Sequence, residues 1–328
     1  MHIELDKKEI FAVQKSIEAI KAEVGRIIVG QEVVLNAFIK GLLCDGNVMV
    51  EGVPGVAKTL LIKTLAAVTS CKFNRIQFTA DLLPTDITGI VSYDPKKGFY
   101  TVKGPIFSNF ILADEINRAP GKTQSALLEA MQERQVTIGR ETFILDRPFF
   151  VLSTLNPIET FGTYPLPEAQ IDRFLFKLWM DYPTKKEEAI ILKKNVDLTD
   201  FNDYKLRPVV SSQDIIRMQN MVKKVYLAEE LEKYIVELVT ATRKPNDYKI
   251  KLGKYVKYGS SPRAGIGLYI ASKANALMNG KNFVTPQDIK GVAHDIFRHR
   301  LILNYEGQAE GIKSDDFVTE LLLRVPVP

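Results

Sequence analysis

Apolar residues recur at Val13, Ile17, Ile20, Val24 and Ile27, in alternating steps of four and three. That spacing draws one hydrophobic stripe along a helix and predicts a helix over residues 8–28. The "IVGQ" at 28–31 interrupts it, and a second pattern of the same period runs from Val33 to Leu43. "NVMVEG" at 47–52 differs in kind: it is a short continuous apolar run entering a glycine loop, the mark of a buried strand. A helix is predicted from Lys58 to Val68, and strand-like pieces follow at 73–78, 110–114 and 148–154. Apolar strands alternating with helices predict a largely parallel sheet covered on both faces.

The pattern changes near "DYPTKKEEA" (181–189). Beyond it helical periods fill 186–194, 212–223, 229–242, 263–278 and 286–300, with little strand. The expected organisation is an α/β domain over residues 1–183, then a smaller all-α domain over 184–328. Two hairpins are expected to interrupt the first domain. One lies in 82–107, where Ile90, Phe99 and Val102 flank a "DPKKG" turn, and the other in 136–147, with "GRE" near its tip. No internal repeat or low-complexity tract is visible.

Composition narrows the class. With 46% hydrophobic and 25% charged residues, the chain reads as an ordinary soluble globular protein. Its net charge of +5 is modest beside the basic bias of a dedicated nucleic-acid binder, which argues against that partner. Cys44 and Cys71 lack C-x-x-C spacing and are expected to be free, buried thiols. "MHIELDKKEI" has no apolar signal core, and no apolar run approaches the ~20 residues of a membrane span, so a cytoplasmic location is expected.

Candidate chemistry begins at "EGVPGVAKTLL" (51–61). In a phosphate-binding loop, consecutive backbone N–H groups converge on phosphate oxygens at a helix N-terminus. Gly52 and Gly55 supply turns, with Val53, Pro54, Val56, Ala57 and Leu60 completing the loop. Lys58 reaches the outer phosphates, and the Thr59 hydroxyl can ligate Mg²⁺. Ala57 stands where glycine is usual; its methyl is tolerable provided the residue has helical φ/ψ. "FILADEIN" (110–117) ends an apolar strand in Asp114, a carboxylate for Mg²⁺, and Glu115, a base for an attacking water. Asn156, ending the next strand in "STLNPIE", can position that water or touch the γ-phosphate. Arg173 in "EAQIDRF" can point at a neighbouring subunit's nucleotide, and Arg263 in "SSPRAG" opens a helix with Ser260 or Ser261 as N-cap.

"EGVPGVAKTLLIKTLA", "DEINRAPGKTQSALLEAMQERQVT", "STLNPIETFGTYPLPEAQIDRF" and "SSPRAG" together resemble the MoxR-type AAA+ ATPases, and the similarity covers nearly the whole chain. The resemblance implies a P-loop α/β domain with a C-terminal helical lid, ATP and Mg²⁺ as cofactors, and assembly into a hexameric ring. It places Lys58 and Thr59 on Walker A, Asp114 and Glu115 on Walker B, Asn156 on sensor 1 and Arg263 on sensor 2. Arg173 falls on the arginine finger, with Arg118 and Arg147 as other candidates. Val29, Gly30 and Gln31 fall where the family encloses adenine, and Ala57 agrees with family usage. The function implied is chaperone-like remodelling of a protein client, often beside a partner with a von Willebrand A domain, the hairpins being candidate client contacts.

Three rivals remain at this point: a DNA-translocating relative, a nucleotide-gated scaffold and a small-molecule kinase. The intact Asp114-Glu115 pair disfavours the scaffold, and the kinase leaves Asn156 and Arg263 unexplained. His294 and His299 sit five residues apart, a rotation of about 500° on a helix, so they do not make a metal site. The basic, tyrosine-bearing stretch 243–260 reads as a solvated face rather than a single-strand binder.

Overall fold

The computed structural model describes residues 6–328 apart from 54, 97, 157–161 and 195–200. Two helices open the chain, α1 (Lys7–Gly25) and α2 (Glu32–Leu43); α1 buries the apolar stripe read from its period, and α2 buries Val34, Leu35, Phe38, Ile39, Leu42 and Leu43 but leaves Val33 exposed. Strand β1 (Val48–Gly52) leads through the glycine loop into α3 (Lys58–Val68). Strand β2 (Phe73–Gln77) and the short α4 (Pro84–Thr88) precede a hairpin of β3 (Gly89–Asp94) and β4 (Gly98–Lys103). Then come β5 (Phe110–Asp114), α5 (Gly121–Glu133), a second hairpin of β6 (Gln135–Ile138) and β7 (Glu141–Ile144), and β8 (Phe150–Leu155). The short α6 (Glu168–Ile171), strand β9 (Phe176–Met180) and α7 (Lys185–Lys194) follow.

The main sheet has the order β2-β5-β8-β1-β9, with β2–β5, β5–β8 and β8–β1 parallel. Interior strand β5, between β2 and β8, buries Phe110, Ile111, Leu112 and Ala113 completely, as a strand covered on both faces must. Strand β9 was not expected. Its sequence "FKLWM" alternates buried residues with Lys177 and Trp179, so it lacks the continuous apolar run that marked its neighbours.

Both hairpins form where the turn residues placed them. In the first, Ile90 pairs with Val102 and Tyr93 with Phe99, whose rings stand 5.1 Å apart. Six of its large apolar side chains (Ile90, Val91, Tyr93, Phe99, Tyr100 and Val102) are exposed. In the second, Gly139 and Arg140 form the tip between Ile138 and Glu141.

The rest is helical: α8 (Ser212–Lys224), α9 (Glu229–Arg243), α10 (Pro262–Met278), α11 (Pro286–Phe297), α12 (Tyr305–Ala309) and α13 (Ser314–Arg324). Helix α13 had not been read from the sequence; Phe317, Val318 and Leu321 are its buried face. A two-stranded ladder of β10 (Val256–Tyr258) and β11 (Ile302–Leu303) is also new. Among the described residues, no helix is long and apolar enough to cross a membrane.

The chain divides into two compact units. Residues Ser16–Pro167 and Leu178–Arg217 form a sheet unit; the chain up to Lys15, Glu168–Lys177 and Met218–Pro328 form a helical unit. This partition differs from a single cut at residue 183. Segment 168–177 belongs with the helices because Arg300, His299 and Arg298 bond its carbonyls, and Lys185–Lys194 belongs with the sheet because Lys194 reaches the carbonyls of Gly25 and Arg26.

Cys44 and Cys71 are free, as expected, but each is only partly covered. Burial raises both thiols, Cys71 to about 11, so neither is poised as a nucleophile.

Candidate nucleotide site

The loop between β1 and α3 opens a pocket of about 430 Å³ at the carboxyl ends of the parallel strands. Gly52, Gly55, Val56, Ala57, Lys58, Thr59 and Leu60 line it together with Asp114, Glu115 and Asn156. Val53 lies in the same loop, and Pro54 lies outside the described residues. A Cβ at Gly52 would stand 2.3 Å from the Met180 carbonyl, so only glycine lets β9 pass the loop.

Ala57 corrects the sequence reading. It is the N-cap of α3 with φ 61° and ψ 28°, left-handed rather than helical. Its conformation is set by the loop before the first helical turn, not by the helix. Gly55 also has positive φ, 81°. Positive φ at 55 and 57 beside the right-handed turn from Lys58 is the kind of alternation by which consecutive backbone N–H groups can face one concavity. The alanine is therefore strained, at about 1–2 kcal/mol for an L-residue in this region.

The acidic pair sits in a dense polar net. Thr154 Oγ1 donates to Asp114 Oδ1 at 2.6 Å and accepts from the Glu115 amide at 2.8 Å, pinning β5 to β8. Arg75 Nε and Nη2 donate to Asp114 Oδ2 at 3.0 and 2.6 Å. Gln77 Nε2 donates to Glu115 Oε2 at 2.9 Å, and Arg118 Nε lies 3.0 Å from the same oxygen. Glu115 has φ 55°, a second non-glycine residue held left-handed at this pocket. Lys58 Nζ donates to the Gly52 carbonyl. Burial pushes its ammonium below the usual pKa, opposed by the carboxylates of Asp114, Glu115 and Glu51.

Thr59 and Asp114 offer one hydroxyl and one carboxylate to the pocket. Among the described residues, no group of three or more His, Cys, Asp or Glu side chains could hold a metal. That donor set fits Mg²⁺, which takes one or two protein oxygens beside phosphate and water.

Val29 and Gly30 line a separate cavity of about 610 Å³, walled by the end of α1, the start of α2, and Ile190 and Lys194 of α7. Gln31 does not line it; its Nε2 donates to the Asp181 carbonyl at 3.1 Å.

Arg173 and Arg263 lie in the helical unit. Ser261 is the N-cap of α10, accepting from the Arg263 amide at 3.1 Å, and its hydroxyl donates to Asp172 Oδ2 at 2.8 Å. Arg173 is half-buried between Asp172 and Phe174, both of which Arg300 holds. Of the other finger candidates, Arg118 grips Glu115 of its own chain and Arg147 pairs with Asp45 at 3.2 Å.

The sequence reading missed Arg75, Gln77 and Thr154. A signal existed: "FNRIQ" carries a cation and an amide two residues apart, hence on one face of an otherwise buried sheet's strand.

A family model described as "ATPase family associated with various cellular activities (AAA)" matches residues 47–176. Another, described as "AAA lid domain", matches residues 253–321. Chaperone MoxR1 of Mycobacterium tuberculosis is 46% identical over 93% of this chain and 81% of its own length. The chain belongs to the MoxR-type AAA+ ATPases. Protein MoxR of Paracoccus denitrificans is 26% identical over 94% of this chain and 95% of its own. A crystal structure from Cytophaga hutchinsonii, of a protein whose name proposes an ATPase, has TM-score 0.92 and 47% identity, covering 98% of this MoxR-type chain and 97% of its own. The P-loop sheet followed by a helical lid is thus the fold of this MoxR-type ATPase as well as its sequence expectation.

Proposed function

We propose that this chain hydrolyses ATP with Mg²⁺ and uses the cycle to remodel a protein client. The observation that carries the reading is the convergence of the loop 52–60, Asp114, Glu115 and Asn156 on one pocket. The backbone amides of the loop hold the phosphates, and Lys58 adds a cation to the outer ones. Thr59 and Asp114 would hold Mg²⁺, which supplies charge neutralisation at the β- and γ-phosphate oxygens.

Glu115 orients a water and accepts its proton as the water oxygen bonds to the γ-phosphorus and the bond to the β–γ bridging oxygen breaks, leaving ADP. Asn156 fixes the water or a γ-oxygen. Arg263 reads the phosphates from the lid, and Arg173 completes a neighbouring chain's site, which requires an oligomer, a hexameric ring by family resemblance. Val29, Gly30 and Gln31 would enclose the adenine.

The protein-client reading draws on the first hairpin. Six exposed large apolar residues on twelve positions suit apolar peptide better than a phosphate backbone. The relative named a chaperone supports the same choice. A partner with a von Willebrand A domain and a cytoplasmic setting belong to this proposal.

Steady-state hydrolysis by Glu115→Gln tests the chemistry. The variant should turn over at least ~100-fold slower while still binding ATP. Wild-type turnover would remove Glu115 from the role of base.

A further inference from the structure

Arg75 has no place in the mechanism above, yet it is the closest cation to Asp114 that the described residues show. Its Nε and Nη2 both donate to Asp114 Oδ2, at 3.0 and 2.6 Å. Nη2 also donates to Gln77 Oε1 at 2.6 Å, and Gln77 in turn donates to Glu115 Oε2. One strand, β2, therefore grips both carboxylates of its neighbour β5, where register sets Arg75 against Leu112 and Gln77 against Asp114.

The two partners differ in exposure. Asp114 keeps 16% of its side chain exposed, Arg75 49%, and Arg75 is part of the pocket wall beside Lys58 and Thr59. A largely covered carboxylate needs a positive partner; Lys58 donates to the Gly52 carbonyl and acts on Asp114 through its charge, whereas Arg75 bonds the carboxylate directly. The guanidinium supplies the charge from a position where water can replace it. A divalent ion drawn to the same carboxylate must share it with this cation or displace it, because like charges a few ångströms apart repel.

We propose that Arg75 is the resident counter-cation of Asp114 and competes with Mg²⁺ for it, so that it sets the Mg²⁺ concentration at which nucleotide binding tightens. Arg75 is a positioning residue in this scheme; it acts through Asp114 and, by way of Gln77, on Glu115. The inference rests on the reading of Asp114 as the carboxylate on the metal side of the nucleotide.

The test is a binding measurement on the full chain, with a fluorescent, non-hydrolysable ATP analogue titrated at increasing Mg²⁺. The readout is the Mg²⁺ concentration at half the Mg²⁺-dependent gain in affinity. Arg75→Gln, which keeps a hydrogen-bonding group and loses the charge, should lower that midpoint about fivefold, the scale of a partly exposed charge pair. Arg75→Lys, a cation without the two-pronged grip, should fall between wild type and Arg75→Gln. Urea melts of both variants check that the fold is intact, and the Lys variant carries the test if the Gln variant does not fold. A midpoint unchanged or raised in either variant overturns the proposal and leaves Arg75 a strand-to-strand tie. A wild-type affinity indifferent to Mg²⁺ overturns the reading of Asp114 itself, and the inference with it.

Discussion

Asp114 in the sheet unit and Asp172 in the helical unit each accept from an arginine at 2.6–3.0 Å, yet their surroundings are opposites. Arg75 keeps half its side chain in water, whereas Arg300 keeps 3%. The Arg300 fork is filled: Nε goes to Asp172 Oδ1, Nη1 to the carbonyls of Leu175 and Ile296, and Nη2 to those of Asp172 and Phe174. Burial depresses its pKa to about 10, with Asp172 pulling the other way. A cation so enclosed cannot be traded for a ligand. On the proposed exchange, the charge that must change partners is the one left near solvent, whereas the pair that holds a backbone segment is buried with every guanidinium donor satisfied. The segment held this way carries Arg173, and through Ser261 the same carboxylate meets the start of the Arg263 helix.

The contrast breaks most visibly at Arg300. Arg300→Met would strand the Asp172 carboxylate with only the Ser261 hydroxyl and orphan several carbonyls. Loss of about 3–5 kcal/mol is expected in urea denaturation, the scale for breaking a buried pair from one side. Arg75→Gln should change stability by less than about 1 kcal/mol in the same assay. Equal losses at the two sites would erase the distinction between a fixed and an exchangeable pair.

His299 sharpens it in the pH dimension. Its ring is buried against the same segment, Nε2 lying 3.0 Å from the Phe174 carbonyl, while Nδ1 has no partner. Burial first, then the Arg300 cation, hold the imidazole well below its usual pKa. Between that depressed value and about 6.5, the unfolded chain binds a proton that the folded chain refuses. Stability should therefore fall by up to about 1.4 kcal/mol per pH unit as pH drops through that window. His299→Gln should remove this part of the slope, read as the wild-type minus variant difference in urea stability between about pH 7 and about pH 5. An unchanged slope would mean that the folded protein accepts the proton.

The two regions were unequally legible. Helix α3 begins and ends at Lys58 and Val68, as expected, because the spacing of its apolar residues is a local property. That the loop, Asp114 and Glu115 line one pocket was readable because a phosphate site would demand those residue types at those spacings. Asp172 and Arg300 lie 128 residues apart, and nothing local in either sequence announces the other. Arg75 and Gln77 were overlooked for a related reason. Their alternation was visible, but its meaning depends on β5 being the neighbouring strand, which only the sheet order supplies.

Ala57 gives the smallest effect and bears on why the site region tolerates strain. The residue is exposed and left-handed, so its methyl packs against little and opposes the backbone it must adopt. Glycine would relieve about 1–2 kcal/mol of that strain. It would also widen the unfolded ensemble, at about 0.5–1 kcal/mol. Ala57→Gly should then stabilise the protein by about 0.5–1 kcal/mol in urea denaturation. If the strain only fixes the loop's shape, ATP affinity should weaken as the loop gains freedom, since pre-organised amides no longer wait for the phosphate. A variant both more stable and as tight a binder would show that the alanine contributes nothing to the site. Lower stability would mean that the left-handed turn at 57 is not where the strain resides.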